Sequence, residues 1–168
     1  MKNLTLAILI GIGTMACHES EPINNKDFTG NETAYALEQG SDYNVSGSVL
    51  FKEKVDGTAL IEVTLSGTEE GLEHPAHLHL GNISSPGADV AALLNPVVGK
   101  TGRSETHLIQ LADESLITYS QLMDLNACIK IHLAASGPSR DIILAGGNIG
   151  QAVVNDVTGG RIKVCKGE

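Results

Sequence analysis

Alternation of apolar and polar side chains dominates the middle of the chain. In "NVSGSVLFKEKVDGTALIEVTLSG" (residues 44–67), Val49 and Phe51 alternate with Ser48 and Lys52. Ile61, Val63 and Leu65 then alternate with Glu62 and Thr64. A period of two marks a strand with one buried face. The Asp56-Gly57 pair between the runs is the turn chemistry of a tight hairpin. Further strands are expected at "AHLHLG" (76–81), "THLIQLA" (106–112), "ACIKIHLA" (127–134), "RDIILAGGNIG" (140–150) and "GGRIKVC" (159–165). In "ACIKIHLA", Ile129, Ile131 and Leu133 alternate with Cys128, Lys130 and His132. "ITYSQLMDLNA" (117–127) predicts a helix of about two turns in a connection, with Ser120 as its cap. Short strands bounded by turns, one short helix and 19 glycines predict an all-β Greek-key sandwich or barrel. Two Phe, three Tyr and no Trp leave Val, Ile and Leu to fill its core.

The first residues fall outside this pattern. "MKNLTLAILIGIGTMAC" has one Lys, a short apolar run and small residues before Cys17. That is the layout of a signal peptide, too short for a stable bilayer-spanning helix. "GTMAC" resembles a bacterial lipobox, with Thr14 where Leu is usual, which implies that Cys17 is lipidated and becomes the first mature residue. The expected organisation is a signal peptide over 1–16, a polar flexible tether over 17–31 and one domain over 32–168. The expected location is the bacterial cell envelope, lipid-anchored to the outer membrane. Removing residues 1–16 leaves 10 basic against 20 acidic side chains. So acidic a surface repels nucleic acid and anionic lipid, and leaves the lipid as the membrane contact. Cys128 and Cys165 remain, and an even pair in an exported domain predicts a disulfide.

The candidate chemistry sits in "EHPAHLHLGN" (73–82), which holds three of the six histidines. One residue separates His77 from His79, so a strand presents both imidazoles on one face, with Ala76, Leu78 and Leu80 on the other. Imidazole is a ligand for copper and zinc. A third ligand has to come from another strand, and His132 on the polar face of "CIKIHLA" is the best placed. His107 and His74 are possible fourth ligands. The alternative is a set of solvated surface histidines. "GKTG" (99–102) lacks the glycine spacing and following helix of a phosphate loop. A single Met after processing argues against a Met-rich copper-transfer site.

"HPAHLHLGN", "ITYSQLMDLNACIKIHLA" and "RDIILAGGNIGQ" resemble the chordin-type (CHRD) domain, which is similar to the copper/zinc superoxide dismutase fold. The resemblance spans roughly residues 33–152. It implies that His77 and His79 are paired copper ligands and that His132 is a third. Arg140 lies near the substrate-guiding arginine of the dismutases, two residues further from the glycines. Leu93 and Leu94 stand where a metal-bridging His precedes an Asn-Pro pair. His107 falls near a zinc-ligand position without its companions, so the zinc site is expected to be missing. Cys128 and Cys165 do not match the dismutase disulfide.

The expected function is that of an exported, lipid-anchored protein binding one copper ion through His77, His79 and His132. Two alternatives stand beside it: a copper-only superoxide dismutase, and a metal-free extracellular structural or adhesion module.

Overall fold

The computed structural model describes residues 25–86 and 88–154. Eight antiparallel strands close into a barrel, in the order β1-β2-β3-β6-β5-β4-β7-β8. They are β1 (Phe28–Gln39), β2 (Ser46–Lys54), β3 (Ala59–Ser66), β4 (Glu73–Leu80), β5 (Val90–Val98), β6 (Arg103–Leu108), β7 (Asn126–His132) and β8 (Ile143–Gly150). The closure is uneven. β5 meets β6 at one register pair, Val98 with Arg103, and β1 meets β8 at Glu38–Gly146 and Gln39–Ala145. The long ladders lie within β1-β2-β3-β6 and within β5-β4-β7-β8.

The predicted hairpin forms as expected. Val49 pairs with Val63 and Phe51 with Ile61, and all four are fully buried. Inward residues of both ladders, among them Leu37, Leu78, Ile129, Ile131 and Ile149, complete an aliphatic core.

Two strands escape the alternation. β1 starts at Phe28, inside the stretch assigned to a tether, and its register shifts between Phe28 and Glu32, around Gly30 at φ 94°. That bulge breaks the period of two before Tyr35 and Leu37 restore it. β5 carries an extra residue at two places, opposite Pro75 and beside the Leu78–His79 step. Its burial therefore does not alternate, and Pro96 sits where the β5–β6 seam is nearly open, so no ladder bond is lost there.

Other boundaries move. "THLIQLA" does not continue as a strand: β6 stops at Leu108, and Ile109 is exposed. The helix is shorter than predicted, α1 (Tyr119–Met123), and its cap is Thr118 rather than Ser120. The Thr118 hydroxyl accepts from the Gln121 N–H while the Gln121 side chain accepts from the Thr118 N–H, a reciprocal capping box. Arg140 lies in a single 3-10 turn (Pro138–Asp141) ahead of β8, not in the strand. A last helical turn, α2 (Gln151–Val154), follows β8. No helix among the described residues is long and apolar enough to cross a membrane. The expected strand "GGRIKVC", the lipid site Cys17 and the Cys165 end of the proposed disulfide lie outside the described residues.

Candidate metal centre on the outer face of β4 and β7

β4 and β7 run antiparallel, with Ala76 opposite Ile131 and Leu78 opposite Ile129 on the core side. On the outer side His77 faces Lys130 and His79 faces Cys128. The alternation in sequence correctly divides the two faces of β4, except that Leu80 is exposed at the strand end. For β7 the expected polar face is not solvated. Cys128 and Lys130 are fully buried and His132 nearly so. A covering loop explains part of this: Ile83, in the 81–89 connection, is 3% exposed and lies over the ladder. Its backbone N–H donates to the Asn148 side chain on β8. A Cβ on Gly146 would stand 2.8 Å from the Ile129 carbonyl oxygen, which requires glycine there, and 2.9 Å from the Ile83 Cδ1, which places the Ile83 side chain over this residue.

His77, His79 and His132 converge. Their ring centroids are 4.8 Å (His77–His132), 5.7 Å (His77–His79) and 6.1 Å (His79–His132) apart. One ligand atom from each lies within 4.8 Å of the others. A bulge in a neighbouring strand falls beside two of them: β5 has its extra residue next to His79, and β8 has one next to His132. Bulges increase local twist and re-aim side chains, so the outer face closes toward one point.

Backbone carbonyls orient two of the rings. His79 donates from Nδ1 to the Ala88 carbonyl at 2.8 Å, and His132 donates from Nδ1 to the Arg140 carbonyl at 2.8 Å. A carbonyl can only accept, so both rings carry their proton on Nδ1 and leave a lone pair on Nε2. Each of those Nε2 atoms is buried and has no hydrogen-bond partner. Buried polar atoms are rarely left so, and a metal ion is one partner that satisfies them.

The electrostatics keep the rings neutral. Burial, reinforced by the charges of His132 and His79, brings His77 down from the ordinary 6.5 to about 4. His79 is also lowered, first by burial, although its bond to Ala88 opposes the shift. For His132 burial again leads, opposed by the Arg140 carbonyl and by Asp141. Lys130 lowers both His79 and His132 through its positive charge. Neutral imidazole is the form that ligates a metal.

The other candidates lie elsewhere. His74 faces inward on β4, with one long contact from Nδ1 to the Leu133 carbonyl at 3.4 Å. His107 is exposed on β6, its Nε2 2.7 Å from the Thr58 hydroxyl. Neither joins the group of three. Arg140 contributes its carbonyl, while its guanidinium lies 3.3 Å from Asp141 and is mostly exposed. The Ala88 and Arg140 carbonyls had no signature in the sequence, because any residue supplies one. Lys130 did have a signature, a charge placed between Ile129 and Ile131. Comparison of the chain with protein-family models, with curated proteins and with solved structures yields no match.

Proposed function

We propose that this protein binds one copper ion through His77, His79 and His132. The observation that carries the proposal is the pair of buried Nε2 atoms, on His79 and His132, that have no hydrogen-bond partner in rings whose Nδ1 atoms are each bonded to a carbonyl. His77 completes the set from the half-buried edge. Bonds near 2.0–2.1 Å, the range for imidazole on zinc, place three donor nitrogens within roughly 3–4 Å of one another. The ligand atoms lie within 4.8 Å of one another, so a small side-chain adjustment would bring them to that distance. Three imidazoles without a carboxylate favour a borderline transition ion over calcium or magnesium, and copper heads the divalent affinity order.

The strand order supports the finer fold assignment as well. β4, β5 and β6 form a consecutive meander, and β7 returns to lie beside β4, which is the Greek-key relation. We propose on that basis, and on the sequence resemblance, a CHRD-type domain of dismutase-like architecture. Cys17 would carry the lipid that holds it at the outer membrane. Replacing Cys17 with Ser should then release the protein from membranes, and unchanged partitioning would reject the anchor.

Metal analysis of purified protein tests the function. One copper per chain, reduced in the His77→Ala variant, is the expected result. Copper together with superoxide turnover would favour the dismutase alternative. No bound metal after incubation with copper would leave the structural module.

A further inference from the structure

The rim of the barrel where β1 begins carries large apolar side chains in water. Val55, in the β2–β3 turn, is 65% exposed, Leu116 is 75% exposed and Ile109 is 46% exposed. Backbone hydrogen bonds join their segments into one edge. The Val55 N–H donates to the Asp27 carbonyl, the Tyr119 N–H to the Gly57 carbonyl, and the Ile117 N–H to the Ile109 carbonyl. The opposite rim carries Tyr43, Leu72 and Val98, each less than half exposed. Single exposed apolar residues are ordinary, but a group of them on one edge marks a contact surface.

We propose that this rim rests on a zwitterionic lipid surface. The seating presupposes the lipid on Cys17 proposed above. The described chain enters the barrel at this same rim, through Asn25–Asp27 and the start of β1. Eight residue steps separate Cys17 from Asn25, at most about 28 Å when fully extended. A lipid on Cys17 therefore keeps the rim within that reach of the bilayer. Apolar side chains held there add interfacial burial to the acyl anchor. Asp56, Asp113 and Glu114 stand exposed on the same turns, so an anionic headgroup layer would repel the rim and a zwitterionic one would not. β8 is antiparallel to β1, and β7 to β8, so β7 runs away from this rim and ends at His132 on the far side. Seating the barrel here keeps that end of the three-histidine site facing water.

Tryptophan fluorescence tests the seating, because the chain has no Trp of its own. Lipidated full chain is incorporated into phosphatidylcholine vesicles whose acyl chains carry bromine, a quencher confined to the bilayer. Leu116→Trp and Val55→Trp report this rim, and Val98→Trp reports the opposite one. Both near-rim reporters should shift their emission to the blue and lose most of it to bromine, while Val98→Trp keeps its emission. Phosphatidylglycerol vesicles should quench the near-rim reporters less, and equal or greater quenching there overturns the zwitterionic assignment. Sedimentation with the vesicles but no loss of emission at either near-rim reporter overturns the seating and leaves the anchor standing. Equal loss at Val98→Trp also overturns it. So does a blue shift without vesicles that grows with protein concentration, which would place a second copy on the rim. Wild type that does not sediment with vesicles removes the Cys17 anchor, and the seating falls with it.

Discussion

On the β2-β3-β6 side of the barrel, outward side chains meet water. Lys52 and Glu62 pair across β2 and β3 at 2.8 Å with about a quarter of each exposed. His107 stands exposed against the Thr58 hydroxyl. On the β4-β7 side the outward positions His79, Cys128, Lys130 and His132 are buried, and His77 is half-buried. The strands differ little in length. The difference lies in what covers them and in what stands behind each polar group. A histidine on the open face finds a hydroxyl and solvent. On the covered face it finds a carbonyl that fixes its tautomer and two further imidazoles. Burial turns the same residue type from a surface group into a donor with an unsatisfied lone pair.

Removing one donor from each face should separate them most widely. His132→Ala should weaken copper binding by more than roughly 100-fold, since even partners one layer out from a metal cost 10–100-fold. His107→Ala should leave it unchanged. Equilibrium competition against a copper chelator reads both, and an equal loss in the two variants would erase the distinction.

The cover can be broken next. Ile83→Ala removes buried side-chain volume over β8 and should cost about 2 kcal/mol or more of unfolding free energy. Lys52→Met on the open face should cost less than about 1 kcal/mol, as exposed ion pairs do. Urea unfolding curves measure the contrast, and similar midpoints for the two variants would contradict it.

A pH series sharpens the comparison further. The site histidines have their pKa values lowered in the folded chain, so the unfolded chain takes up their protons first. Their contribution to stability is complete above the ordinary value near 6.5 and is lost as pH falls toward about 4, the value for His77. Metal-free protein should therefore lose stability across that interval. His77→Gln should flatten the slope, as thermal melts at successive pH values would show. The same lowering should carry copper binding below pH 6.5, rather than letting it fail there as ordinary histidines would.

The legibility of the sequence follows the same division. The β2–β3 hairpin was readable because half-buried strands alternate strictly and Asp-Gly marks their turn. The three-histidine cluster was readable because His77 and His79 share a face at a spacing of one and His132 lies on a matching strand. β1 and β5 were not, because bulges and Pro96 disrupt the period that alternation depends on. The burial of β7 on both faces was hidden because part of the cover, Ile83 over the neighbouring β8, comes from a loop with no periodic signal. The carbonyls behind His79 and His132 come from loop backbone, which no residue type encodes.

X-ray absorption at the copper edge, on purified protein loaded with one equivalent of copper, tests the central claim most directly. Three imidazole nitrogens on a single ion are expected, with loss of that signature when His77, His79 and His132 are all replaced by alanine. Copper bound chiefly by oxygen or sulfur, or an unchanged spectrum in the triple variant, would contradict it.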